Sequence, residues 1–352
     1  MELWITNKNL NISKVATDII TEGDYRNVCR TLDFGIPLVQ SDERTHGTTI
    51  EKGDTIQLTH NNVNLFSGIV WQIPQSTVGK ELSVHCKGYG IYLKNEKFYK
   101  FNCMPEKAVE QIASDFNIEL GHIEKTGVTV KRNFFGNSLY EIIMTMYNLA
   151  NERKYMVLFD LNKLLIIEKG ISISKPIKNG SNLLNLAYTD TLQDMTNKVF
   201  VYNKDNVLID TLSDNNSIIK YGIFSKYLKT DEAYKSKANK LLKGESQTIT
   251  VNVLGDTSYA VGKCVMLEEP YTKVKGKFYI DTDSHIFKNG QYTCKLTLNY
   301  KNLMDEKEVG SYEQAYQDKV NKEQGEKLIF HKWLGEDKNV NNKVSGVYHE
   351  IN

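Results

Sequence analysis

Two stretches of the chain, residues 53 to 89 and 262 to 300, carry the same three-strand pattern. A pattern written twice constrains the fold more tightly than any single motif. The first copy runs GDTIQL, turns at Asn61-Asn62, continues as LFSGIVWQI and returns after Gly79 as ELSVHCKGY. The second runs GKCVML, crosses a loop at Glu268 to Lys275, continues as GKFYIDTDSHIF, turns at Asn289-Gly290 and returns as QYTCKLTLNY. Apolar residues alternate in both returning strands: Leu82, Val84 and Cys86 in one, Tyr292, Cys294, Leu296 and Leu298 in the other. That is the period of a half-buried strand. Asn-Gly is a strong hairpin signal because both turn residues take positive φ. The chain therefore reads as mainly β, with two similar β-barrel, tube-like modules and a small α+β domain.

At 352 residues the chain exceeds what one core usually serves, so several domains are expected. Residues 1–98 are strand-rich and form the first β-barrel domain. The pattern then changes. Pro105 suits a first helical position and is followed by Ala108, Val109, Ile112, Ala113 and Phe116 at helical spacing. A second helix opens at Ser138 with Glu141 three residues on, a capping box, and carries Leu139, Ile142, Ile143, Met146 and Leu149 on one stripe. With the strands KYMVLFD and KLLIIEK, residues 99–180 read as the α+β domain. A linker around Pro176 and Gly180 leads to a second β-barrel domain at 181–303, which includes a helix from about Asp231 to Lys243 capped by Thr230. Residues 304–352 read as a C-terminal helix from about Asp305 to Glu323 and a polar tail. In that tail Leu328, Ile329, Phe330, Trp333 and Leu334 are candidates for docking a partner.

Composition excludes several classes. The net charge is +1, from 44 basic and 43 acidic residues, so no global field attracts nucleic acid or a membrane surface. The N-terminus lacks the charged-then-apolar order of a secretory signal, and no apolar run approaches a membrane span. Five widely spaced cysteines argue against a disulfide framework or a zinc finger. No Walker loop, dinucleotide fingerprint, HExxH, GxSxG or EF-hand occurs, and no cofactor is expected. His85 and Cys86 are adjacent but leave opposite faces of a strand, so they cannot act as base and nucleophile. Asp281, Asp283 and His285, each two apart, share a face and are the one weak metal candidate. Ile280 and Ile286 occupy the opposite face, so the same three residues also read as the wet side of a barrel strand. The lysine run from Lys226 to Lys243 reads as a solvated face, not a nucleic-acid site.

The segments GDYRNVCRTLDFGI (23–36), GDTIQL, LFSGIV, GYGIYLKN (88–95), DFNIELGHIEKTG (115–127), SLYEIIMTMY (138–147), DMTNKVFVY (194–202), YGIF (221–224) and YIDTDSHIFKNGQYTCKLTL (279–298) occur in order. Together they resemble the XkdQ-like baseplate-hub proteins of contractile-tailed phages, phage-like elements and tailocins, a class shared with type VI spike hubs. The resemblance implies a non-enzymatic homotrimer whose chains each donate two barrels to a pseudo-six-fold ring. Such a ring would adapt the six-fold tail tube to the three-fold central spike and initiate tube assembly. It implies contacts with the tail tube protein, the spike protein, the tape-measure protein and other baseplate parts. It also implies a particle assembled in the bacterial cytoplasm, with no membrane and no specific nucleic-acid binding. A tail-associated cell-wall hydrolase and a receptor- or carbohydrate-binding tail module are the alternatives.

Overall fold

The computed structural model describes residues 1–37, 50–74, 81–230 and 234–311. They fall into two compact units, one holding residues 1–91, 158–162 and 168–304, the other residues 92–157, 163–167 and those from 305 onward.

The first unit begins with β1 (Glu2–Ile5), β2 (Leu10–Asn11), β3 (Thr17–Asp24), β4 (Asn27–Pro37), β5 (Thr55–His60), β6 (Val63–Gln72) and β7 (Glu81–Gly88). Their order across the sheet is β3-β4-β7-β6-β5-β1-β2. Asn61 and Asn62, at φ 50° and 60°, make the β5–β6 turn, for which asparagine's tolerance of left-handed backbone suits it. The inward residues of these strands, among them Leu3, Leu32, Phe34, Ile56, Leu58, Phe66, Val70 and Val84, form one core. Each contributes about 1.5–3 kcal/mol through removal from water.

The second unit contains β8 (Tyr99–Cys103), α1 (Pro105–Asp115), β9 (Glu119–Ile123), β10 (Val130–Phe134) and α2 (Leu139–Ala150). The hairpin of β11 (Tyr155–Asp160) and β12 (Lys163–Glu168) follows, and β12 pairs parallel with β9. Pro105 opens α1 as the first helical residue, and the Ser138–Glu141 capping box is present. The Ser138 hydroxyl accepts from the Glu141 N–H, while the Glu141 carboxylate accepts from the Ser138 N–H at 3.0 Å.

The first unit resumes with β13 (Ile177–Lys178), β14 (Leu183–Thr191), β15 (Lys198–Tyr202), β16 (Leu208–Ser213), α3 (Asn215–Tyr221), β17 (Ser225–Lys229), α4 (Lys235–Leu241), β18 (Ser246–Leu254), β19 (Cys264–Glu269), β20 (Val274–Lys288) and β21 (Gln291–Asn299). Strands β15 to β17 form a separate three-stranded sheet backed by α4 through Val199, Val201 and Ala238. This small subdomain is inserted between β14 and β18. The remaining strands run β14-β18-β21-β20-β19-β13, with their own core of Val251, Val265, Leu267, Ile280, Leu296 and neighbours.

The two strand orders correspond one to one: β3 to β14, β4 to β18, β7 to β21, β6 to β20, β5 to β19 and β1 to β13. Detail supports the equivalence. Gly53 and Gly262 open the matching strands at φ 92° and 89°, a conformation that penalises any Cβ, and their amides donate to the carbonyls of Val70 and Ile280. The next strand carries a β-bulge at the same place in both, between Val70 and Gln72 and between Ile280 and Thr282. The outermost pairs differ, since β1–β5 is antiparallel and β13–β19 parallel.

Three sequence expectations need correction. Neither module closes as a barrel by strand pairing among the described residues; each is a curled half-barrel sheet, and β3 pairs instead with β20 of the other module. The helix expected through Lys243 ends at Leu241, because the Lys243 N–H and C=O both bond to Thr196. Residues 231–233 lie outside the described residues. The helix expected from Asp305 is absent over residues 305–311, whose backbone groups find non-helical partners. Val309 donates to the Thr145 hydroxyl and accepts from Arg132 Nε, and Ser311 pairs with Asn133.

Candidate functional site

Strand β20 belongs to both modules. On one edge its first half, Val274 to Tyr279, pairs with β19, and its second half, Thr282 to Phe287, pairs with β3. The bulge at Asp281 separates the halves and shifts the side-chain phase by one residue. Asp283 and His285 consequently face inward with Ile280, opposite Leu296 and Cys294 of β21. They are not the wet side of the strand: Asp283 and His285 are each 1% exposed and Asp281 6%.

A buried charge needs a counter-charge. Arg30, on β4 of the first module, donates through both terminal nitrogens to Asp283 Oδ2, with the Nη1 contact at 2.7 Å. The Val261 N–H donates to Asp283 Oδ1 at 2.6 Å. Gly23 of β3 stands directly opposite Asp283, and a Cβ there would lie 2.9 Å from the Arg30 guanidinium and 3.0 Å from the Asp283 carboxylate. The glycine therefore leaves the space in which this ion pair forms. Burial opposes the charge on Asp283, but the Arg30 guanidinium, His285 and the Val261 N–H together outweigh it and hold the carboxyl below its usual range.

His285 extends the chain of contacts. Its Nε2 is 3.4 Å from Asp283 Oδ2, and its Nδ1 is 2.8 Å from the Tyr292 hydroxyl and 3.3 Å from Cys294 Sγ. Burial pushes the imidazole toward neutrality, yet its hydrogen bonds to Asp283 and Cys294 prevail and raise it to about 9. The ring is thus an imidazolium at neutral pH. A second buried pair lies further along β20, where Lys169 Nζ donates to Asp281 Oδ1 at 2.7 Å and to the Leu303 carbonyl at 3.0 Å, above the Tyr25 ring. Burial is the dominant influence on both partners, lowering Lys169 and raising Asp281. Aromatic packing closes the seam: Phe287 and Tyr292 stack at 4.3 Å, and His60 of β5 meets both edge-on.

Cys294, His285 and Asp283 stand in the order of a nucleophile, base and orienting acid. The chemistry does not follow from the order. Each is 1% exposed, and a protonated imidazole cannot accept the thiol proton. Nor do the three weak metal candidates converge on a vacant point, since Arg30 and Lys169 supply their counter-charges. Among the described residues no group of His, Cys, Asp and Glu is arranged to hold a metal ion. Cys86 is core, its thiol pushed up by burial, and His85 turns away to Asp33. Sequence reasoning singled out the acids and the histidine but not Arg30, Lys169 or Gly23, which come from remote segments. Leu328, Ile329, Phe330, Trp333 and Leu334 lie outside the described residues.

Two strand-matched half-barrels joined edge to edge define a class of fold also found in prophage tail proteins. It matches the 43 kDa tail protein of prophage MuSo2 from Shewanella oneidensis at a TM-score of 0.63, with 10% identity, over 83% of this chain and 95% of that one. A chain of the Francisella PdpA–VgrG complex matches at 0.51, with 10% identity, over 85% of this chain and 50% of that one. The family model described as YQBQ-like matches residues 19–299, and the chain belongs to that family. The XkdQ protein of the phage-like element PBSX of Bacillus subtilis (strain 168) is 24% identical over 331 residues, covering 87% of this chain and 99% of that protein.

Proposed function

We propose that this protein is a structural hub at the base of a contractile tail, in which three copies present six modules as a ring. The ring meets a six-fold tail tube on one side and a three-fold spike on the other, and nucleates tube assembly. The observation that carries this reading is the matched strand order of the two modules together with their edge-to-edge joint at β3–β20. A chain built this way offers two near-equivalent subunits of a ring, so three chains can mimic a hexagon. The family and the tail-protein folds above support a structural role in a tail-like particle. The seam suits that role, because fully paired buried charges fix the geometry of a joint. Tail tube, spike, tape-measure and other baseplate proteins are the partners this reading requires.

A hydrolase built on the seam would need Cys294, Asp281 or Asp283 to reach substrate, and all three are buried. Cryo-electron microscopy of assembled particles tests the proposal. Three copies encircling the tail axis between tube and spike are expected. A single copy off the axis, or release of soluble peptidoglycan fragments that is lost in Cys294→Ala, would contradict it.

A further inference from the structure

The inserted subdomain of β15, β16 and β17 buries one face of its sheet and leaves the other open. Val199 and Val201 on β15, Leu212 on β16 and Leu228 on β17 point toward α4 and make its small core. The alternate residues point the other way. Across that open face they stand in three rows: Ser213, Lys198 and Ser225; Thr211, Phe200 and Tyr227; Leu208, Tyr202 and Lys229. A bulge at Ile209 is what brings Leu208 opposite Tyr202. Tyr227 is 74% exposed and Leu208 49%, while Phe200 and Tyr202 are half-buried.

The charges on this face have one sign. Lys198 Nζ lies 5.0 Å from the centre of the Phe200 ring, and Lys229 Nζ donates to Asn206 Oδ1 at 2.7 Å, which holds it beside the third row. No acid stands in any of the three rows, since Asp210 pairs with Val201 on the α4 side, as Lys226 does with Val199. Size and chemistry then narrow the occupant. Three short strands offer a face of about 16 Å by 10 Å, far below the roughly 800 Å² that a folded partner usually covers. An extended peptide gains its affinity along a sheet edge, not on a face. Nucleic acid carries a phosphate with every base and owes its non-specific affinity to neutralising them, for which two lysines in a chain of net charge +1 are too few. Sugar rings fit better. Their apolar C–H faces stack on aromatic rings, their hydroxyls match Thr211, Ser213 and Ser225, and a carboxylate on some of them finds a lysine.

We propose that the open face of the β15–β17 sheet binds an acidic polysaccharide, its sugar rings on Phe200, Tyr202 and Tyr227 and its carboxylates on Lys198 and Lys229. The site lies wholly within the inserted subdomain and does not depend on the ring reading above.

The test is isothermal titration calorimetry of the full-length chain with tetragalacturonate, with the neutral galactotetraose and with a short single-stranded thymidine oligonucleotide. Saturable binding of tetragalacturonate, weaker for the neutral sugar and reduced by salt, is the expected result. Tyr227→Ala should lower the affinity about three- to tenfold and leave the thermal transition unchanged, because the ring is exposed. Lys229→Glu should lower it at least as far, whereas Lys226→Glu, the same charge change on the α4 side, should not. Equal losses in the two lysine variants would reveal diffuse attraction and overturn the site. Absence of tetragalacturonate binding, equal binding of the neutral sugar, or tighter binding of the oligonucleotide would each overturn the proposal.

Discussion

His285 holds a proton where water does not reach it, and that proton joins Asp283 to Tyr292 across the inner face of β21. Its folded value of about 9 lies above the ordinary 6.5. The stability it contributes is therefore complete below about pH 6.5 and is lost as pH rises through 9. The difference corresponds to roughly 3 kcal/mol. Urea unfolding at pH 6 and pH 9.5 should show a fall of that order in the native chain, and His285→Gln should remove most of the dependence. Equal slopes in the two proteins would mean that the imidazole is neutral. The chemistry of this trio was legible in its two-residue spacing, but its direction was not. A strict alternation puts Asp283 opposite Ile280; one extra residue at Asp281 reverses that, and nothing local in DTDSH announces a bulge. Arg30 and Lys169 were illegible for a different reason. They are 253 and 112 residues away from their acids, and only the fold brings them there.

Elements whose signals are local formed as read. The Ser138 capping box, Pro105, and the Asn61-Asn62 and Asn289-Gly290 turns all specify backbone geometry within four residues. Elements that depend on remote pairing did not, as Lys243 and residues 305–311 show, where long-range backbone bonds displace the helix. The correspondence of β3–β4 with β14–β18 adds a prediction. The first pair is joined by a tight turn from Asp24 to Asn27, the second by the whole β15–β17 subdomain, although its ladder also closes, at Thr191↔Ser246. Replacing residues 192–245 by Asp-Gly should leave the second module folded. The shorter connection changes the closure cost by only about 1–3 kcal/mol in its favour. Thermal melting and near-ultraviolet circular dichroism would check it, and loss of the cooperative transition would show that the insertion is part of the module's core.

At the scale of the whole molecule, the two compact units set where the chain can be cut. Residues 305–311 belong to the second unit, with Tyr140 donating to Asp305, Asn148 to the Lys307 carbonyl and Thr145 accepting from Val309. A chain ending after Ser311 should keep the stability of both units. One ending after Met304 should weaken the second by several kcal/mol, at about 1 kcal/mol per lost bond, and leave the first unchanged. Differential scanning calorimetry of the two truncations separates these outcomes, and equal profiles would sink the distinction. One further consequence follows from β20 serving two sheets. Antiparallel hydrogen bonds run across the strands, so a pull along β20 strains all six β3–β20 register pairs at once instead of peeling them singly. A joint loaded that way yields late and abruptly, as a shear-loaded ladder does, where one pulled open from an end would give way pair by pair.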